Sequence, residues 1–538
     1  MGKNDNKIAE KISEIKNCFR NCAIYSKSLK QSIFDFTNAF DYMFSEIVIT
    51  ENNLSDLYRE GYQTAIKNSF ALNHDGGFNQ RFNYENIKEF DAEFRELREF
   101  NFMRNTFDRY QNGNYDAVMN NNVLEFTFNK EMTNIYRDIY SRAICNNLPF
   151  SKYDKDEITT QPIFDYIGFY LMRNLNFESK KIFKPHNSEW RKCIDMCFQT
   201  FTHSFPRYVK FADYSIADFL LVYASLKSLA VYKIAYFMKK KVCKLTISPD
   251  EFPSVFYPKV RLINDIASVV ELKTKTVESI INDLIYDYDF EKNMISLYQP
   301  LFEIDGNILF SSYLLCFSNE QDKLVKVFSY NNKEKNAISE ISIYKAELMT
   351  TAYEQIIENF FPNLTTFRNC KLFLNGLVNK EIDLVIADDK NKILLLTELK
   401  WRQKVDNEFD SFKKERLING DILSRIEAEK AVKENLDLFI KQNSLPTKYA
   451  NYIVESIIIE KEYSGGANSN SDIPVLDDPL FKFTLYVSNG DLKIFLDSLK
   501  SDDILDAVKN SVKIPPVSRY KYRDYKIVVK YWTICSNL

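Results

Sequence analysis

Apolar residues recur at three- and four-residue spacing through most of the first 240 residues. The segments KISEIKNCFRNCAIYSKSLKQSIFDFTNAFDYMF and FDAEFRELREFNFMRNTFDRY carry this pattern most clearly, and it is typical of amphipathic helices. Breaks rich in Gly, Asn and Pro interrupt the pattern near 73–80, 110–116 and 183–190. The pattern therefore predicts a mostly helical region over residues 1–250.

The pattern changes across residues 251–340. VRLINDIASVV and KTVESIINDLIYDY predict two helices joined by a short polar turn, and ISLYQPLFEIDGNILFS predicts a β-hairpin with Asp-Gly at its turn. This order is the outline of a winged helix. The second helix carries Glu278, Asp283 and Asp287, which would repel a phosphate backbone. A structural or protein-docking connector is therefore favoured over a DNA reader.

Residues 341–490 alternate between helical and strand patterns. SIYKAELMTTAYEQIIENFF predicts a helix, and CKLFLNG, EIDLVIADD and KILLLTELKW predict strands. A charged helix is predicted from about 406 to 441, with further strands at YIVESIIIEKEY and LFKFTLYV. The tail 491–538 predicts one helix and a last strand that pack on this domain. The expected fold class is a multidomain α+β protein whose C-terminal α/β domain has a central mixed sheet.

Charge and composition leave most partners open. The chain of 538 residues is long enough for two or more domains, and its formal net charge is −3. Any nucleic-acid contact must therefore rest on a local basic patch. From Lys509 to Trp532 there are seven Lys and Arg residues against one acid, interleaved with aromatic residues. Nucleic-acid binding and an edge strand protected by lysines explain this stretch equally well.

Cysteine usage and the apolar stretches indicate a cytoplasmic protein with no membrane span. Nine cysteines in 538 residues are expected to be free thiols in a reducing compartment. Cys193, Cys197 and His203 form a C-x3-C-x5-H pattern, but zinc would need a fourth ligand and core packing is favoured. The apolar stretch 216–237 is interrupted by charged residues, which favours a buried or amphipathic helix.

The segment EIDLVIADDKNKILLLTELKW, residues 381–401, holds the candidate chemistry. Glu398 and Lys400 are two residues apart on a predicted strand, so their side chains point to the same face. Asp383 begins the preceding strand, and a hairpin closing at DDKNK would bring it opposite the end of ILLLTELK. Two carboxylates would then converge beside one ammonium group. Carboxylates with water are natural ligands of Mg²⁺.

The spacing D-x14-E-x-K resembles the motif of the PD-(D/E)XK nuclease superfamily, over roughly residues 341–490. The resemblance implies a restriction-endonuclease-like domain that hydrolyses phosphodiester bonds. It also implies that Asp383, Glu398 and the carbonyl of Leu399 bind Mg²⁺ or Mn²⁺, and that Lys400 is the catalytic lysine.

Other positions of the motif match less completely. The superfamily's first helix often adds a Glu, and of Glu354 and Glu358 the former fits its pattern better. Ile382 stands where many members have proline. The helix after the motif has no Gln, which leaves only Arg425 or Lys430 as candidates for the residue that many members place there.

The expected function is an endonuclease that acts on DNA rather than RNA, with restriction or anti-phage defence suggested by analogy alone. The helical N-terminal region would serve recognition, a protein partner or homo-oligomer formation. Two alternatives remain open: a non-catalytic nucleic-acid- or protein-binding protein that uses a nuclease-like fold, and a helical scaffold in which Glu398 and Lys400 are a solvated pair. No Walker, Rossmann or G-x-S-x-G motif occurs, so ATP, dinucleotides and serine hydrolysis have no support.

Overall fold

The structure, a computed structural model, describes most of the chain in separate stretches. These are residues 27–50, 55–72, 74–80, 82, 86–111, 115–120, 123–128, 187–199, 201, 206–210, 213–247, 251–287, 299–316, 324, 335–374, 377–402, 408–461, 473–500, 512–513, 518–522, 525–530 and 533–534. The described residues divide between two compact units. One lies within Met1–Arg104 and Asp156–Ile341, and the other within Asn105–Lys155 and Ser342–Leu538.

The described part of the chain is a mixture of helices and strands. Its thirteen α-helices are α1 (Leu29–Thr50), α2 (Ser55–Leu72), α3 (Ile87–Gln111), α4 (Asn187–Gln199), α5 (Ile216–Val242), α6 (Lys259–Val270), α7 (Thr274–Leu284), α8 (Ser312–Cys316), α9 (Lys335–Phe360), α10 (Glu408–Glu434), α11 (Leu436–Gln442), α12 (Asp478–Val487) and α13 (Leu492–Lys500). Its strands are β1 (Tyr115–Asn120), β2 (Val123–Phe128), β3 (Val255–Pro258), β4 (Phe302–Ile304), β5 (Asn307–Phe310), β6 (Leu364–Leu374), β7 (Leu377–Asp388), β8 (Ile393–Lys400), β9 (Ile453–Glu460), β10 (Val475–Asp477), β11 (Val512–Lys513), β12 (Ser518–Tyr522), β13 (Tyr525–Lys530) and β14 (Thr533–Ile534). The predicted mixed α and β class is therefore confirmed.

Helix α5 lies in the core of the first unit. It begins at a reciprocal cap, in which the Ser215 hydroxyl accepts the Asp218 N–H at 3.1 Å and the Asp218 carboxylate accepts the Ser215 N–H at 2.8 Å. By length and composition alone it is the one helix among the described residues that could cross a membrane, and 83% of its most apolar window is buried within the protein. The prediction of a buried helix here is confirmed.

Two of the cysteines considered as zinc ligands pack into the same core. Cys193 and Cys197 on α4 are fully buried beside α5, as predicted. Burial raises the pKa of the Cys193 thiol to about 11 and raises that of Cys197 well above its ordinary value. His203 lies outside the described residues. Both thiols therefore behave as small apolar core groups.

The predicted helix pair and hairpin of residues 251–340 are present. Helices α6 and α7 lie beside an antiparallel sheet of strand order β3-β5-β4. The hairpin turns at Asp305 and Gly306, whose φ values are 48° and 74°. Both residues are left-handed, as a tight type I′ hairpin turn requires.

A five-stranded mixed sheet, of order β10-β9-β8-β7-β6, organises the C-terminal region. Strands β6, β7 and β8 pair antiparallel, whereas β8, β9 and β10 pair parallel. Helices α9, α12 and α13 cover one face, and α10 and α11 pack on the other face. Both faces of β8 are therefore buried, which explains its unbroken run of apolar residues.

One predicted strand of this region is wrong. Residues 480–487, LFKFTLYV, belong to helix α12. The Asp477 carboxylate accepts the backbone N–H three residues further on at 2.8 Å, and Pro479 lies in the first turn. Both features favour a helix start. Phe481 and Leu485, four residues apart, bury their side chains on the sheet, so the helical spacing decides the structure rather than the short alternating run.

The single charged helix predicted from about 406 to 441 is two helices, α10 and α11. Asn435 leaves the helical conformation between them, at φ −128° and ψ 34°. Its side-chain amide donates to the carbonyl of Ala431 at 2.9 Å, which satisfies one of the carbonyls at the end of α10.

A second sheet of order β1-β2-β13-β12 includes strands from the region predicted as mostly helical. Strands β1 and β2 form a hairpin, and β13 pairs parallel to β2. Strand β12 lies at one edge of the described sheet and pairs antiparallel with β13. The basic and aromatic stretch near the end of the chain thus contributes two strands to one sheet, and both explanations of its composition stay open.

Candidate functional site

The β7–β8 hairpin sets the geometry of the predicted site. Its antiparallel pairing runs from the turn as far as Leu384 opposite Thr397 and ends there. The next position of the same register sets Asp383 opposite Glu398. Residues opposite each other in an antiparallel pair share a face of the sheet. The two carboxylates therefore lie on one face, at the place where the two strands cease to pair.

The turn of this hairpin is held by its own polar side chains. The Asp388 carboxylate accepts the N–H groups of Lys390 and Asn391 at 2.9 and 3.1 Å, and the Asn391 amide at 2.7 Å. Lys392 takes the left-handed conformation with φ 55°. Asp388 thus acts as a turn residue, of the kind its sequence position indicates, and its bonds fix the register that aligns Asp383 with Glu398.

Asp383 is partly buried and bonded to the neighbouring strand. Its Oδ2 accepts the backbone N–H of Leu399 at 2.7 Å. Burial raises the pKa of Asp383 to about 6, and the negative charge of Glu398 adds to this effect. The Leu399 N–H, Lys400 and Arg425 act in the opposite direction and offset it only partly. This carboxylate is therefore desolvated and repelled by its neighbour, which is the situation that a bound cation relieves.

Glu398 lies between two cationic side chains. Lys400, two residues further along β8, donates from Nζ to Glu398 Oε1 at 2.5 Å, and Arg425 on α10 donates from Nη1 to Oε2 at 3.1 Å. Burial lowers the pKa of Lys400, but the charge and hydrogen bond of Glu398 outweigh it, and the pKa is raised overall. Lys400 is therefore a charged ammonium group beside both carboxylates.

Arg425 is the most deeply buried charge of the group, with a side chain 2% exposed. Burial lowers the pKa of its guanidinium, against the charges of Glu398 and Asp383, yet an arginine remains charged in proteins. Its Nε and Nη2 are buried and make no hydrogen bond to any described residue. Burying donors without a partner costs free energy. The bond to Glu398 and the packing around Arg425 must offset this cost.

A second group of buried charges extends the site along α10. Glu460, at the end of β9, is 1% exposed and accepts from Arg402 Nη1 at 2.9 Å and pairs with Lys414 Nζ at 3.2 Å. Arg402 also pairs with Asp421. Burial raises the pKa of Glu460 in spite of these partners. Lys414, Asp421 and Arg425 recur at helical spacing along one face of α10.

The motif of residues 381–401 gives no indication of this second group. Its signal is the stripe of residues 414, 418, 421 and 425, which shares one helix face. Three of these four residues are charged, so the stripe by itself is typical of a solvent-exposed helix. Only the pairing of β9 with β8, which sets Glu460 beside Lys400, shows that the charged stripe faces the ends of the strands.

Glu354 lies on α9 and forms an ion pair with Arg368 of β6. Arg368 pairs with Leu384, the neighbour of Asp383, in the β6–β7 register. Among the described residues, Glu354 does not contact Asp383, Glu398 or Lys400. The alternative, Glu358, is exposed and adds to the charge around Arg368. The assignment of either residue to the site stays a prediction.

The donor set fits a hard divalent ion only in part. Asp383 and Glu398 provide two carboxylates, which suit Mg²⁺ or Mn²⁺ with water completing the shell. The backbone of Leu399 contributes its N–H to Asp383, and a role for its carbonyl as a ligand stays a prediction. Among the residues that the structure describes, no three His, Cys, Asp or Glu side chains converge as a metal-binding group.

Comparisons with models of protein families, with curated proteins and with solved structures find no match to this chain. The function is therefore argued from the geometry and charges of its own residues.

Proposed function

We propose that the protein is a divalent-metal-dependent nuclease of the PD-(D/E)XK type, which hydrolyses phosphodiester bonds in nucleic acid. One observation carries the proposal. Asp383 and Glu398 occupy opposite positions at the end of the β7–β8 pairing, and the ammonium of Lys400 lies 2.5 Å from Glu398. Two carboxylates and a lysine at the rim of a buried sheet are costly unless they serve a purpose.

In this proposal the C-terminal sheet and its helices form a restriction-endonuclease-like domain. Support comes from a long helix before the sheet, a mixed sheet with buried central strands, and a charged helix directly after the acidic strand. The unit of α6, α7 and the β3-β5-β4 sheet would be a winged-helix-like connector. Its helix pair and wing-like hairpin support that assignment.

Each residue of the site has a distinct role. Asp383 and Glu398 would hold Mg²⁺ or Mn²⁺, with the carbonyl of Leu399 as a further ligand. The ion would offset the charge that develops on the phosphoryl group. Lys400 would position the attacking water or stabilise that charge directly. The Leu399 N–H fixes the rotamer of Asp383 through its 2.7 Å bond, so the carboxylate is oriented before any ligand arrives.

The substrate and setting follow from weaker observations. We propose DNA rather than RNA as the substrate, a cytoplasmic location, and a place in restriction or anti-phage defence. The basic and aromatic strands β12 and β13 are candidates for contacts with the nucleic-acid backbone. The helical N-terminal region would bind a protein partner or a second copy of the chain.

The test is cleavage of single- and double-stranded DNA and RNA by the full chain, with Mg²⁺, Mn²⁺ or EDTA. We expect cleavage that requires the ion and is lost in Asp383→Asn. The matched control is Asp389→Asn, which changes a turn carboxylate paired with Lys448 and should cleave normally. Metal-dependent cleavage that is equal in the wild-type protein and in both variants would refute the proposal.

A second candidate is a non-catalytic nucleic-acid- or protein-binding protein that uses the same fold. The observation that favours it is the complete pairing of Glu398 with Lys400 and Arg425, which a purely structural ion-pair network would also show. Metal titration separates the two candidates. Nucleic-acid binding that is indifferent to Mn²⁺ and to Asp383→Asn would favour the binding protein.

A further inference from the structure

The charges around the predicted metal ligands balance. Among the residues that the structure describes, this network contains four carboxylates and four cationic side chains: Asp383, Glu398, Asp421 and Glu460, with Lys400, Arg402, Lys414 and Arg425. Lys400 connects the two halves of the network, because the negative charges of both Glu398 and Asp421 raise its pKa. The network is thus formally neutral without any ligand.

A neutral network offers little attraction to a divalent ion. Two carboxylates attract a cation strongly when they are unpaired, but here each positive neighbour offsets part of that field. An ion that bound to Glu398 would also have to displace Lys400 or Arg425 from one of its oxygens. Placing two further positive charges in this partly buried site is therefore unfavourable unless an anion arrives with them.

Arg425 is the part of this balance that cannot easily move away. Lys400 has a side chain 29% exposed and a flexible stem, so it is free to turn toward a substrate. Arg425 is 2% exposed and is fixed on the inner face of α10 beneath Glu398. Its Nη1 contacts Glu398 at 3.1 Å, and the charge of Asp383 also acts on its guanidinium, so its positive charge opposes the binding of a cation at these two carboxylates.

We propose that the site binds its divalent ion together with a nucleic-acid phosphate and not beforehand, and that Arg425 is the positioning residue that imposes this coupling. The proposal rests on the proposed nuclease function and deepens it. The negative phosphate supplies the charge that the neutral protein network lacks, and Mg²⁺ sites commonly combine one or two carboxylates with substrate phosphates. Because of this coupling, the site holds no divalent ion until the substrate binds.

The test is a Mn²⁺ titration of the full chain, followed by the electron paramagnetic resonance signal of the free ion. Each protein is titrated without nucleic acid, with a DNA oligonucleotide and with an RNA oligonucleotide. Both oligonucleotides carry phosphorothioate linkages, which resist cleavage. Asp383→Asn with the same oligonucleotide gives the background of Mn²⁺ held by the nucleic acid itself. The variants are Arg425→Gln and Arg425→Lys, with Arg416→Gln as the matched control, because Arg416 lies on the same helix α10 but has an exposed side chain outside the charge network.

We expect the oligonucleotide to tighten Mn²⁺ binding to the wild-type protein by about tenfold or more, within the usual range of coupling between two ligands. Arg425→Gln should bind Mn²⁺ more tightly than wild type without nucleic acid, and the effect of the oligonucleotide should shrink. Arg425→Lys, which keeps the charge, and Arg416→Gln should both behave like wild type. Thermal unfolding confirms that each variant is folded.

Different outcomes overturn different statements. Equal Mn²⁺ affinity of the wild-type protein with and without either oligonucleotide would refute the coupling and leave the nuclease proposal standing, and this comparison needs no variant. If Arg425→Gln and Arg416→Gln behave alike, the role of Arg425 is wrong. Mn²⁺ binding no greater than the Asp383→Asn background under every condition would refute the nuclease proposal itself.

Discussion

The carboxylate of Asp383 accepts the backbone N–H of Leu399 at 2.7 Å. Asp383 lies one residue, and Leu399 two residues, beyond the last paired position of β7 and β8. A side chain thus takes over the hydrogen bond that the ladder no longer makes. This bond ties Asp383 to the E-x-K segment and holds its carboxylate beside Glu398. The bond therefore fixes the position of Asp383 relative to Glu398 and Lys400.

Removal of Lys400 should separate metal binding from cleavage. Lys400→Ala leaves Asp383 and Glu398 in place, so Mn²⁺ binding in the presence of an oligonucleotide should persist. Cleavage should fall by about 10²–10³-fold, which is typical when a charge-stabilising group is lost. Asp383→Ala should lose both the ion and cleavage. The measurements are single-turnover cleavage rates and calorimetric titration of Mn²⁺. Full cleavage by Lys400→Ala would move the catalytic group elsewhere.

Stability of the first unit should fall as the pH rises toward neutrality, because of Asp41. Its carboxylate is fully buried and accepts the N–H groups of Ser312 and Tyr313 at 2.9 and 3.4 Å and the Ser311 hydroxyl. Burial outweighs these bonds and raises the pKa of Asp41 from 3.8 to about 7. Between these values the folded protein holds the proton more tightly than the unfolded chain does, so stability decreases with increasing pH.

Between pH 4 and pH 8, the ionisation of Asp41 should lower the unfolding free energy by up to roughly 4 kcal/mol. It is measured as the difference in unfolding free energy between wild type and Asp41→Asn at several pH values. The variant resembles the protonated acid, so the difference should vary with pH over this window, and the wild type should lose its advantage as the pH rises. A difference that stays constant would show that Asp41 ionises at its ordinary pKa.

Glu460→Gln should destabilise the C-terminal region strongly. The change leaves Arg402 and Lys414 without the full charge of their buried partner, and breaking a buried ion pair from one side costs about 3–5 kcal/mol. Urea denaturation measures the loss. Asp389→Asn removes a carboxylate from a solvent-exposed pair with Lys448 and should change stability far less. Similar losses in both variants would mean that burial of Glu460 carries no special energetic weight.

Two glycines with the same backbone conformation should respond differently to alanine. Gly306 and Gly490 have φ values of 74° and 72°, so each alanine adopts a left-handed conformation that costs about 1 kcal/mol. A Cβ at Gly306 meets no atom within 4 Å, whereas one at Gly490 would lie 2.9 Å from the Phe361 ring. Gly490→Ala should therefore lose more stability in thermal unfolding. Equal losses would show that the ring moves aside freely.

Local patterns determined much of this structure. The alternation and length of the apolar runs correctly predict the β7–β8 hairpin and its turn, because register in a hairpin follows from turn position and side-chain period. The apolar pattern likewise predicts the helices α5, α6 and α7. Asp383, Glu398 and Lys400 were identifiable for the same reason, since all three lie within one hairpin and their relative positions depend on local geometry alone.

Residues distant in sequence were placed only by tertiary structure. LFKFTLYV alternates like a strand, yet the cap at Asp477 and burial of Phe481 and Leu485 against the sheet make it helical. The contact of Arg425 with Glu398 depends on which face of α10 packs on the sheet, and Glu460 reaches the network because β9 pairs parallel to β8. Local sequence propensity does not predict these arrangements. The free energy that decides them comes from burial between elements that are far apart in the chain.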